Sequence, residues 1–266
     1  MNLSPPSKHW SLVRNMFSAI LSWADPLYLE WQTRHAFRLT HFKNKHQGED
    51  CFIIGSGPSL NSMDLTPLRK YHTFGLNKLY LLFDRVDLNL TYLVAVNKLV
   101  IEQSAHNYQN LPTTLFLNYK NARGIISEKE NFYFLYTGAK ATFKPDITRM
   151  ICEGATVTYV AMQIAYYMGF QNVFLIGVDH NFRADGKPYE KQFIQGEDIN
   201  HFDPNYFGNQ HWKLPNLKIS EAAYNLANYY YNKNGRKIYD ATINGKLNIF
   251  QKITFENALK RCRQKV

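Results

Sequence analysis

The sequence CFIIGSGPSL, residues 51–60, runs from four apolar residues directly into a glycine-rich turn. Many α/β proteins hold a phosphate group where a buried strand ends in such a turn and then enters a helix. Gly55 and Gly57 would let the backbone approach an anion, and Ser56 and Ser59 could donate hydroxyl hydrogen bonds. The N-terminus of the helix expected next adds free N–H groups and the positive end of its dipole. The segment therefore predicts a site for a nucleotide-type ligand.

The turn differs from the common phosphate-binding fingerprints. Pro58 and Leu60 replace the later glycine of the dinucleotide motif, and the lysine of a P-loop is absent. A tight strand-to-helix turn that binds no ligand is the alternative interpretation. The motif alone leaves both interpretations open.

Composition restricts the class of protein. The 266 residues suffice for one large domain or two small ones, and 45% of them are hydrophobic, which supports a sizeable core and excludes general disorder. The net charge of +10 indicates an anionic ligand, a membrane surface or nucleic acid. Because the basic residues are dispersed and no nucleic-acid-binding module is recognisable, we expect no nucleic-acid partner.

Cysteine usage and hydropathy indicate the compartment. Cys51, Cys152 and Cys262 are isolated, without the spacing of a disulfide framework or a metal site, which fits a reducing environment. The first ten residues do not read as a secretory signal, and no stretch approaches the roughly 18 apolar residues that span a bilayer. We therefore expect a cytoplasmic protein, either soluble or peripheral at the inner membrane.

Residues 1–47 form a predicted N-terminal helical extension. Apolar residues recur at three- and four-residue spacing up to Pro26, and a basic, aromatic stretch follows over residues 27–42. A basic, aromatic helix can lie on an anionic membrane, so residues 9–46 could make a peripheral membrane contact. The favoured alternative is a helix that packs on the core domain or on a second subunit of a homo-oligomer, because apolar stripes usually serve packing.

Residues 48–266 alternate between strand and helix patterns. Short apolar runs predict strands at 51–54, 72–76, 91–96, 113–117, 132–136, 173–177 and 237–239. Helical periodicity predicts helices at 64–70, 98–108, 156–168 and 218–234. This alternation predicts an α/β, Rossmann-like domain with a mostly parallel sheet and helices on both faces. Residues 180–216 have little periodicity and are expected to form a functional loop or a lid.

Polar residues follow several of the predicted strands. Ligands of open parallel sheets bind beyond the carboxyl ends of the strands, where Asn77, Asn97 and Asp179 are expected. Asparagine can read sugar hydroxyls and base edges, although a single asparagine at a strand end is commonly a turn residue. Asp179 could bind a metal, accept from a ribose, or cap its own loop.

The long loop holds the candidate acids and bases. Histidine is the side chain best suited to proton transfer near neutral pH, and His201 and His211 both lie between residues 180 and 216. Asp203 and Tyr206 are near His201 in the sequence, which favours His201 as the general base. A structural role for either histidine remains the alternative.

Taken in order along the chain, these motifs resemble a known family, the DUF115 group, also called the 6-hydroxymethylpterin diphosphokinase MptE-like family. That group includes the core of the motility-associated-factor glycosyltransferases, and the order is also similar to the family 42 sialyltransferases. The resemblance covers about residues 48–255. The segments that carry it are 52–60, 64–65, 74–80, 156–159, 168–170, 176–180, 200–202, 206–208 and 235–242.

The resemblance implies roles for individual residues. Gly55, Ser56, Gly57, Pro58 and Ser59 would cradle the donor phosphate. The remaining implied donor-site residues, which contact the ribose or sugar or line the site, are Asn77, Asn97, Thr156 and Thr158. His201 would deprotonate the acceptor hydroxyl and Tyr206 would stabilise the leaving phosphate, with His211 as the alternative base because the loop length differs from the sialyltransferase pattern.

The expected function is therefore a glycosyltransferase that uses a nucleotide-activated sugar, such as a CMP-linked nonulosonic acid, and a glycan or glycoprotein acceptor. No cofactor is expected, because Asn97 and Lys98 stand where the diphosphokinase branch carries its acidic metal motif. The alternatives are a Mg²⁺-dependent pyrophosphokinase acting with ATP on a pterin-like alcohol, and a nucleotide-binding module without catalysis.

Overall fold

The computed structural model describes residues 25–183 and 185–265, and its centre is a parallel β-sheet. The strands, in chain order, are β1 (Asp50–Ile54), β2 (His72–Leu76), β3 (Tyr92–Ala95), β4 (Thr114–Asn118), β5 (Phe132–Leu135), β6 (Thr137–Gly138), β7 (Ile151–Cys152), β8 (Asn172–Ile176), β9 (Lys191–Phe193), β10 (His211–Lys213), β11 (Lys237–Asp240) and β12 (Gln251–Lys252). The α-helices are α1 (Pro26–Arg34), α2 (Lys98–Gln109), α3 (Tyr119–Ala122), α4 (Val157–Met168), α5 (Leu217–Lys233) and α6 (Phe255–Arg261).

Eight strands form the main sheet in the order β12-β11-β8-β1-β2-β3-β4-β5, and every neighbouring pair is parallel. From β1 the chain builds outward through β2 to β5, and it then returns to the other side of β1 with β8 and β11. The order therefore reverses between β1 and β8, which creates a topological switch point at the carboxyl edge. The predicted α/β, Rossmann-like class with a mostly parallel sheet is confirmed.

The central strands are apolar because both faces of the sheet are covered. All five residues of β1 are buried, as are four of the five in β8. Helix α4 packs against β1, β2, β3 and α5. Thr156 caps the start of α4, and Gly169 ends it with a φ of +91°, a left-handed conformation that glycine adopts without strain.

Two helical predictions change in type. Residues Thr66–Lys70, within the predicted helix at 64–70, form a 3₁₀ helix with a proline in its first turn. The glycine turn after β1 leads into another five-residue 3₁₀ helix, Pro58–Ser62, and not into an α-helix. Such a short element has no summed dipole comparable to that of an α-helix. The expected helix dipole behind the glycine turn is therefore wrong.

The N-terminal segment from residue 25 packs on the edge of the sheet. Trp31, Leu39 and Phe42 are buried in the same core as the strands. Trp31 Nε1 donates to the carbonyl oxygen of Phe134 in β5 at 2.7 Å. For residues 25–46 the packing alternative therefore describes the structure, and the predictions for residues 1–24 lie outside the described residues. Among those described, no helix has the length and apolar character needed to cross a membrane.

Candidate functional site at the switch point

A cavity of about 770 Å³ lies at the carboxyl edge of the sheet, where the strand order reverses. The loops that follow β1, β2, β3 and β8 contribute to its wall, together with the long loop before α5. Nine of the predicted site residues line it: Gly55, Ser56, Gly57, Asn77, Asn97, Thr156, Thr158, Asp179 and His201. Pro58, Ser59, Tyr206 and His211 are not among the lining residues. The cavity thus gathers predicted site residues that are up to 146 positions apart (55 to 201).

The glycine turn is fastened to β8 and its following loop. The N–H of Gly55 donates to the carbonyl oxygen of Ile176 at 2.8 Å, and the N–H of Gly57 donates to that of Gly177 at 2.8 Å. A Cβ at Gly55 would overlap the Gly177 carbonyl, and one at Gly57 would overlap the Asp179 carboxylate. Both amides are therefore already used, and the glycines permit two loops to approach each other. Neither amide is available to a phosphate in this arrangement, so the predicted cradle would have to use other groups of the turn.

Asp179 is held by the same turn. Its Oδ1 accepts from the Ser59 N–H at 3.0 Å, and its Oδ2 accepts from the Ser59 hydroxyl at 2.7 Å. Burial raises the pKa of the Asp179 carboxyl, and the hydrogen bonds from Ser59 oppose that shift. Ser59 therefore positions Asp179 at the cavity wall, whereas the sequence predicted that it would contact a phosphate.

Three α-helices begin at the cavity wall. Their N-cap residues are Asn97 for α2, Thr156 for α4 and Asn216 for α5, and all three line the cavity. Each N-cap side chain accepts from its own first turn; Thr156 Oγ1, for example, accepts from the Thr158 N–H at 3.3 Å. Asn97 Oδ1 is therefore engaged in capping, although the sequence predicted a ligand contact.

The charge around these helix ends favours an anion. N-termini of α-helices carry partial positive charge, and Lys98, Lys191 and Lys213 also line the cavity. Glu102 and Glu153 supply negative charge on the same wall. The wall therefore combines groups that can stabilise an anion with carboxylates, one of which, Glu102, lies 3.7 Å from Lys98 Nζ.

Asn77 offers an unused acceptor in the wall. Its backbone has a φ of +52°, and its N–H donates to the carbonyl oxygen of Val94 at 2.9 Å. The side-chain Oδ1 is buried and has no hydrogen-bond partner within the described residues. Because a buried polar atom without a partner costs free energy, a ligand donor at this position would be favourable.

His201 is held in one orientation by a buried aspartate. Its Nδ1 lies 2.8 Å from Asp198 Oδ2, and the Asp198 side chain is fully buried. Asp198 also accepts from the N–H groups of Asn200 at 2.9 Å and Phe207 at 3.1 Å. No hydrogen bond within the described residues engages Nε2, so the ring presents one unpartnered nitrogen at the cavity wall. A carboxylate that orients an imidazole in this way is the arrangement of a general base.

Tyr206 packs against the face of the His201 ring. The two rings stack with centroids 4.1 Å apart and planes within 1° of parallel. Tyr206 is fully buried, burial raises its pKa to about 12, and its hydroxyl accepts from the Lys78 N–H at 3.3 Å. The predicted contact with a leaving phosphate has no access route in this arrangement. Tyr206 therefore fixes the His201 ring in place.

His211 lies elsewhere. It is exposed on β10, which pairs antiparallel with β9, and its ring contacts Phe193 at 5.2 Å. The alternative assignment of His211 as the base is corrected by this position outside the cavity wall.

Sequence reasoning missed four contributors to this site. Asp198, Asn216, the His180–Glu221 pair at 2.9 Å, and the buried Lys78 were not singled out for it. Asp198 precedes His201 by three residues, and that spacing within an aperiodic loop was the available signal. Asn216 stands at the start of the predicted helix, which was also a local signal. Lys78 and the His180–Glu221 pair depend on contacts between distant segments.

Comparison with known proteins gives no assignment. No family model matches the chain, and no curated protein or solved structure matches it significantly.

Proposed function

We propose that the protein is a glycosyltransferase that uses a nucleotide-activated sugar. The observation that carries the proposal is the Asp198–His201 pair, which presents an oriented imidazole nitrogen in a cavity at the switch point of a parallel sheet. The cavity volume of about 770 Å³ is within the range of sites for cofactor-sized ligands. The resemblance of the ordered motifs to the MptE-like and family 42 sialyltransferase groups supports the same reaction class.

In this reaction His201 Nε2 accepts the proton of the acceptor hydroxyl. The acceptor oxygen then forms a bond to the anomeric carbon of the donor, and the bond from that carbon to the donor phosphate breaks. The electron pair leaves with the phosphate oxygen. Asp198 stabilises the imidazolium that forms, because it is a buried carboxylate hydrogen-bonded to Nδ1.

The nucleotide phosphate would bind near the start of α4. Ala155, Thr156 and Val157 line the cavity there, and an α-helix N-terminus stabilises negative charge that develops on a leaving group. This placement differs from the glycine turn that the sequence indicated, because the amides of Gly55 and Gly57 are already used.

The remaining wall suits a sugar and a base. Aromatic side chains stack on both kinds of ring, and those in the wall are Phe182, Tyr189, Phe207, Trp212 and Tyr224. By resemblance, a CMP-linked nonulosonic acid is the first donor to test, and a surface glycan or glycoprotein is the acceptor class. The proposed location of this reaction is the cytoplasm or the inner face of the membrane.

The experiment is a donor-hydrolysis screen across CMP-, UDP-, GDP- and dTDP-linked sugars, with nucleotide release as the readout. For the donor that is turned over, His201→Ala should lower kcat by about 10²- to 10⁴-fold, the usual contribution of a general base. Nucleotide affinity measured by calorimetry should stay within about twofold, because the base acts on the acceptor. His211→Ala is the matched control, since it removes an exposed histidine of the same loop and should leave kcat unchanged.

Asp198→Asn tests the positioning of the base. We expect kcat to fall by about tenfold to 100-fold with an unchanged KM, because the acceptor-side geometry is disturbed and the donor contacts remain. Full turnover in His201→Ala would remove the base role. Nucleotide binding without hydrolysis of any donor would indicate a binding module, and binding of ATP only with Mg²⁺ would indicate the pyrophosphokinase.

A further inference from the structure

A second cluster of ionisable side chains lies at the amino edge of the sheet, the edge opposite the cavity. Glu49 directly precedes β1, His72 is the first residue of β2, and His46 lies in the segment just before them. Each contributes one potential ligand atom, and these three atoms all lie within 4.8 Å of one another. Across residues 25–183 and 185–265, no other group of three His, Cys, Asp or Glu side chains has this spacing.

The distances approach those of a metal centre. Glu49 Oε2 lies 2.6 Å from His46 Nδ1 and 3.0 Å from His72 Nε2. Ligand bonds of about 2.0–2.1 Å in a tetrahedral zinc centre place neighbouring ligand atoms about 3.3 Å apart. The Glu49–His46 distance would have to open by about 0.7 Å and the Glu49–His72 distance by about 0.3 Å to admit the ion.

The ligand loop is already rigid. The backbone N–H of His46 donates to the carbonyl oxygen of Met168 at 2.8 Å, and its ring stacks on Phe170 at 4.5 Å with planes 15° apart. The Glu49 carbonyl oxygen accepts from the Gln171 N–H at 2.6 Å. Little conformational entropy would be lost on binding, because the end of α4 already holds the segment.

A supporting partner is also in place. His46 Nε2 lies 2.6 Å from the hydroxyl oxygen of the buried Tyr92. Histidines that bind a metal through one nitrogen usually donate the other N–H to an oxygen, which fixes the tautomer and the ring orientation. With a metal in place of the proton that Nδ1 shares with Glu49, Nε2 would donate to the Tyr92 hydroxyl and the Nδ1 lone pair would face the ion.

We propose that His46, Glu49 and His72 bind Zn²⁺, with a water molecule as the fourth ligand. Two imidazoles and one carboxylate suit zinc better than magnesium or calcium, which prefer oxygen ligands. The Glu49 side chain is 44% exposed, so the ion has a path from solvent. The site joins the segment before β1 to β2 and is independent of the proposed transfer reaction. Its function is to stabilise this edge.

The test uses the full chain without an affinity tag, treated with a chelator and dialysed. Calorimetry with ZnCl₂ should give one equivalent bound, and the melting temperature should rise with zinc. His72→Gln and Glu49→Gln keep hydrogen-bonding groups and should each weaken zinc binding by at least about tenfold. His41→Gln is the matched control, because His41 is an exposed histidine of the nearby 3₁₀ helix Ala36–Phe42 and should change nothing.

Two further measurements keep the inference falsifiable if a ligand variant fails to fold. Tyr92→Phe retains the three ligands and should weaken zinc by about 10- to 100-fold. Co²⁺ added to the unaltered protein should give the intense visible absorption of four-coordinate cobalt. The absence of zinc binding, its retention at full strength in both ligand variants, or the absence of that spectrum would each overturn the proposal and leave a metal-free His–Glu–His hydrogen-bond cluster.

Discussion

Two loops line the same cavity and are built in different ways. The turn after β1, residues 55–59, is tied to β8 by main-chain hydrogen bonds, and Ser59 directs its polar groups to Asp179. The loop between β8 and α5 is held in part by side chains, among them Lys78 and Asp198, and within residues 25–183 and 185–265 no hydrogen bond engages His201 Nε2. The first loop is therefore largely saturated, whereas the second retains groups that a substrate can use.

The difference bears on the interpretation of glycine-rich turns. Glycine allows close approach of the backbone, but the partner can be another loop of the same protein as well as a phosphate. Here Gly57 approaches Asp179, and the histidine with a free nitrogen comes from the least periodic part of the chain. Long aperiodic loops on a rigid sheet are where function commonly resides.

Gly57→Ala gives the largest expected effect. An unchanged stability would contradict the close contact between the two loops. The φ of −71° suits any residue, so the cost is steric: the new Cβ overlaps the Asp179 carboxylate. We expect a loss of about 3 kcal/mol in the free energy of unfolding, measured by denaturant titration. Gly138→Ala, whose Cβ would meet no atom closer than Met150 Sδ at 3.4 Å, is the control.

A double-mutant cycle identifies the cause of that loss. In an Asp179→Ala background the carboxylate is gone, so Gly57→Ala should cost clearly less than in the unaltered protein. Equal costs in the two backgrounds would show that the two loops do not meet as described.

The second prediction concerns Lys78, whose buried ammonium group holds the long loop. Its Nζ donates to the Tyr206 carbonyl oxygen at 2.6 Å and to Gln210 Oε1 at 2.9 Å, and burial lowers its pKa to about 8. Below pH 8 both the folded and the unfolded chain hold the proton, so the cost of burying the charge is fully present. Between about pH 8 and pH 10 the folded chain releases its proton first, and the stability contributed by this group rises.

The measurement is the difference in unfolding free energy between the unaltered protein and Lys78→Met across this pH range. We expect that difference to shift by about 2 kcal/mol in favour of the unaltered protein from pH 7 to pH 10. Lys98→Met, which alters an exposed lysine at the cavity, should track the unaltered protein. A difference in unfolding free energy that does not change with pH would contradict the burial of the Lys78 ammonium group.

The smallest expected effects come from replacing two serines of the same turn, Ser59 and Ser56. Ser59→Ala removes the 2.7 Å hydrogen bond to Asp179 and should lower the free energy of unfolding by about 1.5 kcal/mol, with nucleotide affinity unchanged. Ser56→Ala alters a cavity-lining hydroxyl and should give the reverse, weaker nucleotide binding by about fivefold with little change in stability. Loss of nucleotide binding in Ser59→Ala would restore the phosphate-cradle interpretation.

The sheet could be predicted from sequence because its signals are local. Seven predicted strands appear within a residue or two of their expected bounds, since buried parallel strands are continuous apolar runs between breakers. The helix over 156–168 was predicted for the same reason, from a capping threonine and a closing glycine. The helix at 64–70 was wrong in type because hydrophobic periodicity over so few residues does not separate α from 3₁₀ geometry.

The site was predictable only in part. Residues that follow strands, such as Asn77 and Asp179, could be placed at one edge because parallel strands end together. Which polar groups remain available depends on long-range partners. The carbonyl oxygens of Ile176 and Gly177 accept from the amides of the turn, and the Tyr206 ring is buried under the His201 ring. No periodicity in a sequence reports such pairings.

The way the N-terminal segment meets β5 has a consequence for solubility. β5 ends the sheet, and an open edge of four residues with aromatic side chains is a template on which another chain could add a strand and aggregate. Trp31 and Arg38 instead occupy the carbonyl oxygens of Phe134 and Phe132. The segment thereby hinders another chain from pairing with β5. At the opposite edge of the sheet β12 is only two residues long, which leaves little backbone for such pairing.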